Sequence, residues 1–261
     1  MIRLDPPGTF CQNAAVCDAL DRNARTFVDI GCGIGSLSRE LCRRGMTGLG
    51  IDASAKAIAV ATQELASQIR DGQFSAQVAD IHELQNGSYD VAISMMVAEH
   101  LQDDVGFIRA VARMARPGGQ VIIGVPGRRD HWGCEDEIVG HLRRYEREDL
   151  ARVLREAGLE EIRVWSVAVP VANLLFRVGN FLVQRNATAE MAELPRDTQT
   201  AHSGTREVPW KTVFPRWCRV LLNRYALYPL LVLQRLFYRT GFGITLIGSA
   251  RRVDRSTNAA R

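Results

Sequence analysis

A glycine-rich turn between a predicted strand and a predicted helix constrains this chain more than any other feature. Residues 26–35 read Thr-Phe-Val-Asp-Ile-Gly-Cys-Gly-Ile-Gly, an apolar strand that contains Asp29 and runs into Gly31, Gly33 and Gly35. Glycine has no Cβ, so the backbone at such a turn can come close to a ligand. The helix that follows directs its free N–H groups at the same place. The turn therefore predicts an α/β fold with a nucleotide-type cofactor at the end of this strand.

The spacing of the glycines distinguishes two kinds of cofactor. A dinucleotide fingerprint requires G-x-G-x-x-G, in which the third glycine allows the helix to pack closely on the strand. The spacing here is G-x-G-x-G, and Ser36 stands where the third glycine would be. Asp29 would repel a pyrophosphate but would suit a cationic ligand. Because a glycine turn alone is a weak signal, the downstream sequence has to distinguish the two.

Four further segments place acidic or turn-forming residues directly after an apolar run. In chain order these segments are 48–52, 74–81, 89–104 and 113–124. Together with the glycine turn, they resemble the five motifs of the class I S-adenosylmethionine (SAM)-dependent methyltransferases. The resemblance covers roughly residues 26–126.

This resemblance implies SAM as the cofactor and S-adenosylhomocysteine as its product. No metal ion is expected, because the sequence shows no metal-ligand pattern. The resemblance implies that Asp52 accepts hydrogen bonds from the ribose, that Asp80 accepts from the adenine amino group and that Ile81 packs on the adenine ring. An aspartate at a strand end is also a common helix cap, and for each of Asp29, Asp52 and Asp80 alone that alternative stays open. The other residues that the resemblance assigns to the cofactor are Gly31, Cys32, Gly33, Gly35, Ala53, Met95 and Glu99.

The implied fold is a doubly wound, mostly parallel, Rossmann-like α/β sheet of seven strands with helices on both faces and an antiparallel last strand. The chain divides into an N-terminal helical segment (1–25), a SAM-binding core (26–167), a helical insertion (168–241) and a final strand with a basic tail (242–261). The apolar patterns predict helices over about 10–22, 54–67, 105–114 and 148–157, and strands over 159–167 and 244–252.

The insertion places roughly 75 residues between the last two strands, where a short connection would be usual. Its apolar stretches at 167–176 and 227–233 are flanked by arginines, and the polar stretch 187–207 is predicted to be a loop. Residues 206–261 hold eleven lysines and arginines against two acids. Basic amphipathic helices can lie in a membrane interface, but a lid or a homodimer contact is favoured here over that alternative. Uncharged runs are too short for a spanning helix, and nucleic acid is the least favoured partner.

The acceptor side is predicted from residues 140–145, which read Gly-His-Leu-Arg-Arg-Tyr. This stretch is similar to one that roofs the active site in bacterial small-molecule methyltransferases. The resemblance predicts that His141 faces the acceptor as a general base, with Arg144 and Tyr145 shaping the pocket. His100 and Tyr145 are further candidate catalytic residues. A histidine that only supports the following helix is the structural alternative for His141.

An acceptor that is small and hydrophobic or amphipathic is favoured by the apolar insertion. Oxygen is the expected methylated atom, and carbon and nitrogen are alternatives. Residues 94–98 read Ser-Met-Met-Val-Ala, not the Asp/Asn-Pro-Pro-Tyr/Phe of enzymes that methylate base amino groups. Two hypotheses from other classes are a SAM-binding protein without catalytic activity and a membrane-docked interaction protein. A measurement of methyl transfer would distinguish an enzyme from either of them.

Composition agrees with a globular enzyme, since 46% of the residues are hydrophobic and 24% are charged. The six cysteines form no C-x-x-C pair and no zinc pattern, which favours free thiols in a reducing cytoplasm. The first residues lack the apolar core of a signal peptide. We therefore expect a cytoplasmic protein, with peripheral contact at the inner face of the membrane as the alternative.

Overall fold

A computed structural model describes residues 2–186, 210 and 212–253. The predicted loop over 187–207 lies outside the described residues. The strands of the described residues are β1 (Ile2–Arg3), β2 (Thr26–Ile30), β3 (Thr47–Asp52), β4 (Phe74–Val78), β5 (Tyr89–Met95), β6 (Ala115–Pro126), β7 (Leu159–Val167), β8 (Val213–Phe214) and β9 (Thr245–Arg252).

Seven of these strands form one sheet in the order β4-β3-β2-β5-β6-β9-β7. The first five strands in this order, from β4 through β3, β2 and β5 to β6, pair in parallel. Strand β9 is antiparallel to both of its neighbours, β6 and β7. The predicted doubly wound sheet with an antiparallel last strand is therefore confirmed. The short strands β1 and β8 form a separate antiparallel pair that the sequence analysis did not predict.

The helices agree with the predicted pattern except at two places. The helix predicted over 54–67 is two helices, because Leu65 leaves the helical conformation (φ −107°, ψ 22°) and buries its side chain. The helix over Cys134–Val139 was not predicted, since six residues are too few to show an apolar period. The helices are α1 (Pro7–Ala19), α2 (Ser36–Arg43), α3 (Ala55–Glu64), α4 (Ala66–Arg70), α5 (Asp104–Met114), α6 (Cys134–Val139), α7 (Arg147–Glu156), α8 (Val171–Asn186) and α9 (Tyr228–Leu233).

Two hydrophobic cores cover the two faces of the sheet. Successive side chains of a strand point to opposite faces, and Phe27 and Ile122 belong to one core whereas Val28 and Ile123 belong to the other. All four are buried. Such continuous apolar runs are expected of parallel strands that helices cover on both sides.

The insertion packs against the start of the chain. Val171 of α8 joins Cys11 of α1 in a small apolar cluster, against which Leu230 and Leu231 of α9 also pack. Gln234, which is fully buried, accepts a hydrogen bond from the Ala168 N–H at 3.0 Å and donates one to the Cys11 carbonyl at 3.0 Å. No helix of the described residues is both long enough and apolar enough to cross a bilayer.

Replacing Gln234 tests this attachment of the insertion. We expect Gln234→Ala to lower the free energy of unfolding by roughly 1–3 kcal/mol, because the Ala168 N–H and the Cys11 carbonyl would lose their buried partner. Urea unfolding measures the difference. Gln63→Ala, at an exposed position of α3, is the matched control and should change stability by no more than about 0.5 kcal/mol. Equal loss in the two variants would contradict a linking role for Gln234.

Candidate functional site

Four turns meet at one edge of the sheet because β2, β3, β4 and β5 are neighbouring parallel strands. The carboxyl ends of parallel strands face the same way, and ligands of open α/β sheets bind in the crevice outside those ends. The turns begin at Gly31, Ala53, Ala79 and Met96. The sequence motifs that are far apart along the chain are therefore brought together here.

The glycine loop after β2 combines tight packing with one open position. Gly31, Gly33 and Gly35 have φ angles of +73°, +54° and +79°, a region that residues with side chains rarely adopt. A Cβ on Gly31 would collide with Val97, and one on Gly35 would collide with Leu65. A Cβ on Gly33 would meet nothing within 4 Å. The backbone at Gly33 therefore faces open space that a ligand can enter.

Asp52, at the end of β3, supports this loop directly. Its Oδ2 accepts a hydrogen bond from the Gly33 N–H at 2.9 Å, and its Oδ1 accepts one from the Ser54 N–H at 2.8 Å. Each carboxylate oxygen has a second lone pair, and the residue is partly exposed. Asp52 thus both shapes the loop and retains acceptor capacity for the hydroxyl groups of a ribose.

Asp29 lies beneath the loop. It is buried, and its Oδ2 accepts a hydrogen bond from the Ser38 hydroxyl at 2.7 Å, which connects β2 to α2. Burial raises the pKa of Asp29 to about 6, although the bond from Ser38 opposes the rise. The visible role of Asp29 is to anchor α2, and its predicted contact with the cofactor stays a prediction.

Asp80 and its neighbours lie at the end of β4. The exposed Asp80 accepts a hydrogen bond from the His82 N–H at 2.9 Å, so it caps the short turn that follows. Ile81 is buried in one of the two cores, and Ala53, after β3, is exposed. Capping uses only one oxygen of Asp80, so the other oxygen is available to a ligand. The predicted bond to adenine stays a prediction.

Cys32 and Met95, two further residues predicted to contact the cofactor, each pack beside a glycine of a neighbouring strand. Cys32 is buried, and a Cβ on Gly50 would approach its sulfur to 3.0 Å. Burial raises the pKa of the Cys32 thiol well above its usual range, so the side chain packs as a neutral group. Met95, at the end of β5, occupies the space beside Gly124.

The turn after β5 holds a buried acid that has no hydrogen-bond partner. Met96 takes a positive φ of 59°, and the chain then forms a short turn that buries Glu99 completely. Neither side-chain oxygen of Glu99 has a hydrogen-bond partner in the structure as described. Burial raises the pKa of Glu99 to about 7, more than the nearby His141 and Arg144 lower it. A carboxyl group this costly to bury points to a function.

His141 is positioned above Glu99 by the end of α6. Gly140 adopts a left-handed conformation (φ 79°) that ends the helix, and the His141 N–H donates to the Asp136 carbonyl at 2.8 Å. The ring Nδ1 lies 2.7 Å from Asp136 Oδ1, and the ring Nε2 lies 3.7 Å from Glu99 Oε1. The imidazole is therefore held between two buried acids.

The two acids differ in their hydrogen bonds and so in their charge. Although burial opposes it, hydrogen bonds from His141 and from Arg144 Nε (2.8 Å) lower the pKa of Asp136. Asp136 is therefore a carboxylate and can only accept, which assigns the proton to Nδ1 of His141. The Nε2 lone pair then faces Glu99.

His100 completes the cluster. Its ring lies edge-on to the ring of His141, with centroids 4.7 Å apart. Burial, together with the neighbouring His141, lowers the pKa of His100 to about 4, so His100 is neutral near pH 7. Ligand-type atoms of Glu99, His100 and His141 all lie within 4.8 Å of one another. The cluster can accept a proton, and its atoms are also of the kinds that bind divalent metals.

Tyr145 and Arg144, which sequence analysis places around the acceptor, have partners within the fold. The Tyr145 hydroxyl donates to Asp104 Oδ2 at 2.7 Å, and burial raises its pKa well above the usual range. Arg144 donates to Asp136 and to the Gly127 carbonyl at 3.0 Å. Both residues hold the loop that carries His141. A catalytic role for Tyr145 stays a prediction.

The cluster and the glycine loop adjoin each other. Gly31 packs against Val97, which precedes Glu99 by two residues. The Glu99 carbonyl accepts the Leu142 N–H at 2.8 Å, and this bond fixes the segment that carries His141. The Val97–Glu99 turn therefore connects the glycine loop to the segment that carries His141.

Asp136 is the residue of the cluster that sequence reasoning missed. It precedes His141 by five residues, a spacing that places two residues on different sides of a regular helix. Only the left-handed turn at Gly140 brings His141 back over Asp136. A glycine directly before the histidine was the one available signal.

These observations fit SAM. The open backbone at Gly33 suits close approach of a ligand, and Asp52 can accept from a ribose. The buried, unpartnered carboxyl group of Glu99 adds an acceptor at the same edge of the sheet. The acids at the strand ends can accept hydrogen bonds from the hydroxyl and amino groups of such a ligand. The open glycine loop and the apolar neighbours suit its adenine ring.

Comparison with known sequences gives consistent matches. A profile described as a methyltransferase domain matches residues 9–164. The chain is 30% identical over 184 residues to a ubiquinone biosynthesis O-methyltransferase of Aromatoleum aromaticum, covering 62% of this chain and 77% of that protein. It is 37% identical over 100 residues to the protein of the same name from Aeromonas salmonicida, covering 38% of this chain and only 42% of that relative's length.

Comparison with solved structures supports the fold. The phosphoethanolamine N-methyltransferase 2 of Haemonchus contortus, in complex with SAM, aligns with a TM-score of 0.59 at 18% identity over 95% of this chain and 54% of that one. A putative methyltransferase in complex with the Trm112 activator of Haloferax volcanii gives 0.59 at 19% identity, covering 95% of this chain and 90% of that one. The [4+2]-cyclase SpnF gives 0.61 at 16% identity, covering 93% and 80%. At these identities the likeness concerns the fold alone.

The buried acids predict a pH-dependent stability. The folded-state pKa of Glu99, about 7, lies above its ordinary value of 4.5, so the unfolded chain releases this proton first. Stability is therefore lost as the pH rises from about 4.5 to about 7, by roughly 2–3 kcal/mol. Urea unfolding between pH 5 and 8 measures the loss.

Two variants assign that loss to its source. In Glu99→Gln the part of the slope between about pH 6 and 7 should disappear. In Asp29→Asn that part should remain, because the pKa of Asp29 is about 6 and its contribution ends at lower pH. An unchanged slope in Glu99→Gln would show that Glu99 is not the buried titrating group.

Proposed function

The chain belongs to the class I SAM-dependent methyltransferase family, and from that membership we propose that it transfers a methyl group from SAM to an oxygen atom of a small acceptor. The observation that carries the proposal is the imidazole of His141. Its Nδ1 is fixed by Asp136 at 2.7 Å, which leaves the Nε2 lone pair directed into the cluster beside the glycine loop. In its neutral form, an imidazole oriented in this way can take the proton of a hydroxyl group.

The chain's own residues provide binding and orientation. The loop from Gly31 to Gly35 and the carboxylate of Asp52 would hold the nucleoside part of the cofactor. Asp80, Ile81, Ala53 and Met95 are the further proposed contacts, together with Glu99 as an acceptor at the end of β5. When bound, SAM supplies an electrophilic methyl group on a sulfonium. Methyl transfer requires in-line alignment, so the principal task of the protein is to hold the acceptor in place.

On the acceptor side, His141 takes the hydroxyl proton at Nε2 while Asp136 stabilises the resulting imidazolium. Arg144 keeps Asp136 ionised through its Nε at 2.8 Å. His100 packs against His141 and, being neutral, adds no competing charge. The proton-accepting group is thus held by a buried carboxylate, which a buried guanidinium supports in turn, and its second nitrogen lies 3.7 Å from Glu99 Oε1.

The proposed acceptor is hydrophobic or amphipathic. Phe176 of α8 lies with its ring 5.5 Å from the Arg144 guanidinium, so the apolar insertion borders the segment that carries His141. Relatives named ubiquinone biosynthesis O-methyltransferase favour oxygen over nitrogen or carbon as the methylated atom. A SAM-binding protein without methyl transfer is the second candidate, because a protein described as a [4+2]-cyclase shares the fold.

Cofactor binding is tested at Asp52. We expect Asp52→Ala to weaken SAM binding by roughly 1–3 kcal/mol, or about 5- to 150-fold, since the ribose hydroxyls and the Gly33 N–H would lose an acceptor. Isothermal calorimetry measures the dissociation constant, and thermal unfolding verifies that the variant is folded. Asp71→Ala, at an exposed position after α4, is the control and should bind as the wild type does. Equal affinity in Asp52→Ala would remove Asp52 from the site.

Proton acceptance is tested at His141. We expect His141→Gln to lower kcat by ~10²-fold with unchanged SAM affinity, because only the acceptor step uses the imidazole. Transfer of labelled methyl from SAM to a panel of phenols and quinols provides the rate. His82→Gln, at an exposed position, is the matched control. Full activity of His141→Gln would return His141 to a structural role.

Chelation distinguishes the two chemistries that the cluster permits. If His141 acts as the proton acceptor, EDTA treatment followed by dialysis should leave the wild-type kcat unchanged. Loss of activity that Mg²⁺, Mn²⁺ or Zn²⁺ restores would instead assign Glu99, His100 and His141 to a metal, and the base mechanism would be rejected.

A further inference from the structure

The insertion exposes a large apolar surface. In α8, Phe176, Asn180 and Val183 lie on one side, where Asn180 Oδ1 accepts the Glu135 N–H at 3.2 Å. The opposite side, at the helical spacing of i, i+4 and i+7, carries Leu174 and Phe181, which are 74% and 59% exposed, with Val178 between them. One side of α8 therefore borders the His141 segment, and the other contacts no described part of the chain closely.

A second exposed apolar set lies beside the first. Asn173 of α8 donates to the Phe242 carbonyl at 2.8 Å, and the start of α8 packs with α9. In residues 212–242, Val220 and Leu236 are 74% and 76% exposed, and Trp217 is 61% exposed. Exposed apolar groups on this scale mark an interaction surface in a folded protein. We call the exposed apolar side chains of α8 and of 212–242 the insertion face.

Charge indicates what covers the insertion face. Residues 208–253 contain no aspartate or glutamate. Arg177, Arg216, Arg219 and Arg239 are exposed and form no ion pair with any described residue. Arginines among exposed aromatic and leucine side chains are typical of a segment that lies in the interface of an anionic bilayer.

A second copy of the chain is a less suitable partner for the insertion face than an anionic bilayer. A two-fold contact pairs the same surface with itself, so unpaired arginines would meet arginines. Such like-charge contacts are costly when they are buried without acids. Phospholipid phosphates supply the missing negative charge, and the acyl region accepts Leu174, Phe181 and Leu236.

We propose that the insertion face docks the protein on the surface of an anionic lipid bilayer, without spanning it. Because α8 lies between the insertion face and the segment of His141, docking places the acceptor side of the site one helix diameter, ~10 Å, from the bilayer. A hydrophobic acceptor dissolved in the membrane would then have only a short distance to cross to the cluster. The docking itself does not depend on the catalytic assignment.

Vesicle sedimentation of the full chain tests the proposal. Wild-type protein should bind vesicles of equimolar phosphatidylcholine and phosphatidylglycerol, bind phosphatidylcholine alone far less, and be released by salt. Arg216→Gln with Arg219→Gln should lower the partition coefficient by roughly 10- to 30-fold, as two basic side chains at an anionic surface predict. Arg70→Gln with Arg155→Gln removes the same charge from exposed positions elsewhere and should leave binding near the wild-type value.

The apolar part is tested with Leu174→Ser and Leu236→Ser, which remove exposed side chains and so spare the core. This pair should weaken vesicle binding while SAM affinity, measured by calorimetry, stays unchanged. Equal loss in the two arginine pairs, or no binding to anionic vesicles, would overturn the proposal. A wild-type dimer in sedimentation velocity that the serine pair dissociates would assign the face to self-association instead.

Discussion

Parallel pairing of four neighbouring strands, β2 to β5, is the constraint on which the site depends. Because these strands run in one direction, the residues that follow them emerge at one edge of the sheet. Glycine at position 31 allows that edge to close, since any side chain there would collide with Val97. Backbone geometry thereby brings the glycine loop, Asp52 and the Glu99 turn together before any ligand is bound.

The second element of the site is a pair of buried acids, Asp136 and Glu99, of which only Asp136 has hydrogen-bond partners among the described residues. Asp136 has partners for its carboxylate and remains ionised, whereas Glu99 has none and holds its proton to higher pH. His141 lies between them and presents one free nitrogen. This asymmetry between two neighbouring acids is what gives the imidazole a defined tautomer and direction.

Sequence alone predicted the sheet well, because each core strand is a continuous apolar run that ends in a turn. Strand β7 has the predicted bounds, 159–167. Reasoning from local pattern was wrong where tertiary packing decides, as at Leu65, whose burial divides a predicted helix in two. It missed Asp136 because its contact with His141 requires the left-handed turn at Gly140. Its preference for a lid or homodimer contact in the insertion stays a prediction, because a sequence does not reveal which apolar side chains remain exposed, as Leu174 and Leu236 do.

The central claim is that one edge of the sheet holds the methyl donor against the His141 cluster. A crystal structure with S-adenosylhomocysteine tests it most directly. The account predicts the ribose on Asp52, the backbone of Gly33 against the ligand and the sulfur directed at the space beside Nε2 of His141. A ligand bound elsewhere, or a sulfur separated from that space by protein, would contradict it.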